Sequence, residues 1–208
     1  MGILLCCGTA ASAQGPAPVE HPWMLEVNKY GVSVATRRVD KSSILEYRSH
    51  VIVDAPLAEV IPFFEDAKSM PLWFHSCRLA RLVEDVGPQD KIIYMTIYLS
   101  WPVSPRDVVA RVVKSGSLES GEVRYMFSAL PDRLPADKRF IRMTYLKSLW
   151  TFTAMPDGRT EVYFQQHSDP GGFIPKFVVN ELVVSIPFQT LQGLRKFVMA
   201  SRTAAPHR

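Results

Sequence analysis

Cysteine and histidine are scarce in this chain, and each shortage removes a class of function. Three cysteines and five histidines are spread through 208 residues. Cys6 and Cys7 lie at the N-terminus and Cys77 stands alone, so no internal disulfide framework can be drawn once the N-terminal segment is set aside. His75 and Cys77 have a spacing that a metal could use, but two ligands without an obvious third make a poor site. No apolar run approaches the roughly 18 residues of a membrane-spanning helix. The glycine-rich and zinc-type signatures G-x-G-x-x-G, H-E-x-x-H, C-x-x-C and G-x-S-x-G are all missing, which removes the commonest nucleotide, metallopeptidase, redox and hydrolase readings. The net charge is only +4, and no dense Lys/Arg block alternates with aromatics, so a nucleic-acid partner is not expected.

The N-terminus is organised as a leader. Residues 3–13 form a short apolar run ending in Ala11-Ser12-Ala13, a small-x-small cleavage pattern, although a charged n-region is absent. Residues 1–13 therefore read as a signal peptide, and 14–22, with Pro16, Pro18 and Pro22, as a linker. A domain over residues 23–201 and a flexible tail over 202–208 complete the division. Export to a periplasm follows from this reading; a cytoplasmic protein with a disordered N-terminus is the alternative.

What the chain has in quantity is short strand patterns followed by one long helix. Segments 23–28, 32–38 and 44–53 read as an opening antiparallel meander, with Gly31 at the first turn where a positive φ is cheap. A helix follows from Pro56, with Val60, Phe63, Phe64 and Ala67 at three-four spacing and Pro62 interrupting it; a second short helix starts near Met70. Six further strands are expected over 78–85, 91–100, 107–114, 122–130, 140–154 and 160–168. Residues 175–201 then carry Val179, Leu182, Val183, Ile186, Leu194 and Val198 on one helical face, with a kink expected at Pro187. Hairpins that end in one long amphipathic helix imply an α+β fold, a curved antiparallel sheet wrapped around that helix.

Strand parity points to an apolar interior. Met95, Ile97 and Leu99 share a face, as do Val108, Ala110 and Val112, and as do Tyr125 and Phe127. Small residues such as Ala110 opposite a long helix leave room for a hollow. Arg106 and Asp107 read as an internal ion pair fixing a strand start, and His167 with Asp169 as a base and its orienter or, more simply, as a turn. Arg195, Lys196, Arg202 and Arg208 form a basic C-terminal end suited to an anionic membrane surface or to ordinary solvation.

Four stretches together resemble the START domain, the lipid-transfer module named after the steroidogenic acute regulatory protein, within the helix-grip superfamily. They are WPVSPRD at 101–107, DPGGFIP at 169–175 running into Val179 and Asn180, Pro187 through Arg195, and Phe64-Glu65-Asp66 through Trp73 to Cys77. The resemblance implies a tunnel for one lipid between sheet and last helix, gated by the loop at 100–105. It implies that Arg106, Val108, Ala110 and Val112 point inward, with Arg111 facing out. Where some sterol carriers place a buried arginine, this chain has Val112, so the resemblance leaves the head group open. The implied ligand-binding set adds Met95, Ile97, Leu99, Trp101, Tyr125 and Phe127 from the sheet side and Val179, Val183 and Ile186 from the helix.

The expected function is binding and transfer of one hydrophobic lipid, a phospholipid, sterol-like or fatty ligand, by a monomer that touches membranes transiently and needs no cofactor. Burial of about fifteen methylenes at roughly 0.8 kcal/mol each gives on the order of 12 kcal/mol gross, enough to hold a lipid without covalent chemistry. The rival is a cyclase or hydrolase of the same superfamily, which requires Arg106, Tyr125, Gln165 and His167 to converge inside.

Overall fold

The computed structural model describes residues 21–99, 103–174 and 176–204. The expected signal peptide, most of the linker, Trp101 and Arg208 lie outside the described residues. Among these residues one antiparallel sheet dominates. Its strands are β1 (Met24–Lys29), β2 (Val32–Arg37), β3 (Glu46–Val53), β4 (Cys77–Gly87), β5 (Asp90–Ile97), β6 (Arg106–Ser117), β7 (Glu122–Ala129), β8 (Ile141–Arg142), β9 (Tyr145–Ala154) and β10 (Thr160–Asp169). The spatial order is β1-β2-β3-β10-β9-β7-β6-β5-β4, with β8 added in parallel to the start of β6. Between β3 and β4 come helices α1 (Leu57–Glu65) and α2 (Met70–Trp73), and the chain closes with α3 (Lys176–Ala204). The sheet wraps this last helix, as the hairpin run implied.

Helix α3 is continuous through Pro187, where the missing N–H leaves one carbonyl of the preceding turn without its intrahelical donor. Its two halves are anchored differently. Beyond Pro187, Leu191, Leu194 and Val198 are completely buried, and Phe197 meets Phe63 of α1 edge-to-face at 5.5 Å. At Gly193 an added Cβ would stand 2.2 Å from the Trp73 carbonyl oxygen, so α3 and α2 touch backbone to backbone. Arg195 donates to the Tyr30 carbonyl at 2.7 Å, and Arg202 bonds the Asp54 carbonyl and pairs with Glu59 at 2.7 Å. Two of the basic residues expected at a membrane-facing end are thus spent on docking the helix, which carries on past residue 201.

The expected strand over 140–154 is split, and Arg142 explains why. Its guanidinium meets both carboxylate oxygens of Asp107 at 2.9 and 3.0 Å and donates to the carbonyls of Pro131, Leu134 and Pro135. That clamp holds β8 beside β6 before the chain turns into β9. It also corrects the expected Arg106–Asp107 ion pair: consecutive strand residues face opposite sides of a sheet, and Asp107 takes Arg142 on the outer face. The same outer face of β5 and β6 is less wet than simple alternation implies, because Ile92, Tyr94 and Val109 pack beneath Leu130 and Leu134.

Candidate functional site

The concave face of the sheet and the first half of α3 enclose a cavity of about 110 Å³. One water molecule needs roughly 10–15 Å³ in this measure, so the space is a true hollow rather than a packing defect. Of the residues singled out above, Met95, Ile97 and Leu99 at β5, Arg106 and Val108 on β6, and Phe127 on β7 line it. Val179, Val183 and Ile186 close it from α3. Val112 and Tyr125 instead border a second void of about 50 Å³, separated from the first by Phe64, Met70 and Phe127, which touch both. Ala110 lines neither; it is fully buried in the core between Ile93 and Ala129. Its small side chain is taken up in the packing of that core.

Among the described residues Arg106 is the one charged side chain on this cavity, and only 1% of it is exposed. It has no carboxylate partner among the described residues. Instead Nη1 donates to the Ser104 carbonyl, Nε to the Pro170 carbonyl at 3.4 Å and Nη2 to the Gly171 carbonyl at 3.2 Å. Burial lowers its pKa from the ordinary arginine value. The guanidinium therefore ties the segment before β6 to the segment before α3, and carries an unneutralised charge at one end of an apolar hollow. Gly171 and Gly172, both at φ +65, let that second segment pass close to Ile141.

The remaining polar groups lie deeper, and the sequence reading missed them. In the register, Tyr47 of β3 is opposite Gln166 of β10, and Gln166 is opposite Ser148 of β9. All three line the cavity, as does Trp73 of α2. Tyr47 Oη, Ser148 Oγ and Trp73 Nε1 are buried and make no hydrogen bond among the described residues. Burial pushes the Tyr47 hydroxyl pKa well above the ordinary tyrosine value. Period-two alternation along 160–169 was the available signal, but it cannot say which parity faces in. Gln166 and Ser168 line the cavity, whereas Gln165 donates to Glu46 at 2.6 Å and His167 contacts Ser42 at 3.1 Å outside it.

The four groups required for an enzymatic centre do not converge. Arg106 borders one void, Tyr125 the other, and Gln165 and His167 neither. Tyr125 donates to Glu65 at 2.6 Å, and Lys114 pairs with the same carboxylate at 2.7 Å. Asp169 accepts from the Gly171 N–H at 2.8 Å, the turn role rather than that of an orienter for His167. Near β4, the His75 N–H donates to Thr190 and the Cys77 thiol to the Leu79 carbonyl. No group of three metal-ligating side chains occurs among the described residues.

With this geometry, the comparison with known proteins is decisive. The model of the START domain family matches residues 9–203. The chain belongs to the START domain family. An uncharacterized protein of Pseudomonas aeruginosa is 33% identical over 196 residues, covering 93% of this chain and 96% of that one. Among solved structures, this START domain resembles a fragment of the STAR-related lipid transfer protein from Xanthomonas axonopodis, with 30% identity, a TM-score of 0.78, and coverage of 85% of this chain and 98% of that one. Human StAR-related lipid transfer protein 5 shares the fold at 20% identity and a TM-score of 0.79, covering 86% and 88%.

Proposed function

We propose that this START domain binds one lipid in the cavity between α3 and the sheet and carries it between membranes. The observation that supports this best is the hollow itself, apolar on nearly every wall and, among the described residues, charged only at Arg106. An apolar chain there leaves water at about 25 cal/mol per Å² buried, while the guanidinium faces a polar or anionic head group. The ligand-binding residues are Met95, Ile97, Leu99, Arg106, Val108 and Phe127 from the sheet, with Val179, Val183 and Ile186 from α3. Exit requires the first half of α3 or the segments bonded to Arg106 to move; Ser104, whose carbonyl Arg106 holds, belongs to the gate expected at 100–105, of which Ser100, Trp101 and Pro102 lie outside the described residues. Mass spectrometry of lipid extracted from purified protein tests the binding, and transfer between donor and acceptor vesicles tests the carrying. Stoichiometric lipid together with vesicle transfer is expected; protein that stays empty in both assays overturns the reading.

A further inference from the structure

The register of the sheet draws three polar side chains into one line across the concave face. Tyr47, Gln166 and Ser148 occupy facing positions on the adjacent strands β3, β10 and β9, roughly 5 Å apart from strand to strand. The row continues to Phe127 of β7 and Val112 of β6, so it meets β6 well away from Arg106. Gln166 is held by its bond to Ser168 at 3.1 Å. Among the described residues the Tyr47 and Ser148 hydroxyls have no partner, and neither has the indole N–H of Trp73 on the same cavity.

Among the described residues, the three side chains that carry an unpaired buried polar atom therefore all line one hollow. An orphaned polar atom in a folded interior is unfavourable and uncommon. Three around one cavity are accounted for by a guest that supplies the missing partners. Each of the three can donate, and the two hydroxyls can also accept. None is charged, so an ionised group at this depth would find no counter-charge. An oxygen that accepts, or both accepts and donates, fits the belt.

We propose that the ligand carries, part-way along its apolar body, an uncharged oxygen function such as a hydroxyl or carbonyl, received by Tyr47, Ser148 and Trp73. The lipid is thus polar at two places, at the end near Arg106 and again inside, and a plain acyl chain is not the preferred guest. This inference rests on the lipid-binding reading above and specifies the chemical class of its ligand.

The test compares stearic acid with its 9-, 10- and 12-hydroxy derivatives by displacement of a fluorescent fatty acid from delipidated protein. At least one hydroxylated chain should bind about fivefold to tenfold more tightly than stearate, the advantage of one or two neutral hydrogen bonds. The pair of changes Tyr47→Phe and Ser148→Ala should bring the ratio of hydroxy-acid to stearate affinity down to about one, whatever each change does to the affinity for either acid alone. Because these changes delete unpaired atoms, they should also raise the thermal midpoint of the empty protein, an effect opposite to that of removing an ordinary structural hydrogen bond. Equal binding of all four acids to the unmodified protein overturns the oxygen belt but leaves lipid binding intact. A preference that survives the double change overturns the assignment to Tyr47 and Ser148. If no acid binds and the purified protein is empty, both readings fall.

Discussion

Arg106 shows how one side chain can serve fold and site together. Its three carbonyl partners come from two stretches far apart in the chain, residue 104 and residues 170–171, so the guanidinium closes one end of the cavity as much as it charges it. Replacing it with leucine strands those carbonyls, each hydrogen bond to a charged group being worth about 1.5–3 kcal/mol. Arg106→Leu should therefore lower unfolding free energy by several kcal/mol in denaturant titration. Glu65 yields a pH prediction. Burial alone would raise its pKa, but bonds from Lys114 and Tyr125 outweigh burial and hold it below the ordinary carboxylate value of 4.5. A carboxylate with a depressed folded pKa stabilises the fold above its unfolded pKa, and that contribution fades as pH falls through the folded value. Unfolding measured from pH 7 downward should show stability lost below about pH 4.5, with less loss in Glu65→Gln. Cys77 runs the other way: burial pushes its thiol up to about 11. In the folded protein it should resist iodoacetamide at pH 8 and react only after denaturation, which peptide mass spectrometry reads directly.

At the scale of elements, hydrophobic spacing made the long helix, the meander and the order of the hairpins legible. Two features were not legible. Residues 140–154 alternate like a single strand, yet Arg142 interrupts the run because its partner Asp107 lies on another strand, and local periodicity carries no trace of a long-range pair. Glycine 193 is likewise invisible in a helical pattern, although its missing Cβ is what allows α2 and α3 to touch. Gly193→Ala should destabilise the protein by about 1–3 kcal/mol or more, since backbone must yield to backbone, and this is checked by thermal melting. Helix α3 also divides energetically at Pro187. Its later half holds the fully buried Leu191, Leu194 and Val198, whereas its earlier half faces the cavity. Amide exchange should be at least tenfold faster over residues 178–186 than over 190–200 in the empty protein, and should slow when lipid is bound.

For the molecule as a whole, parity along each strand separated an apolar side from a wet one, and the resemblance through 101–107 and 169–175 led to the START family. The polar belt stayed hidden because it exists only in the register of β3 against the β9–β10 hairpin, which comes much later in the chain. That Gln166 and Ser168 line the cavity, and not the Gln165 and His167 that the enzyme alternative required inside, is the same difficulty in miniature: a strand's alternation is visible, its phase is not. The carrier account depends on the cavity between α3 and the sheet holding a guest. Native mass spectrometry of the intact purified protein measures that most directly. A dominant species heavier than the chain by the mass of one lipid is expected, released as a single molecule on activation. A bare chain mass that persists after incubation with lipid vesicles would contradict it.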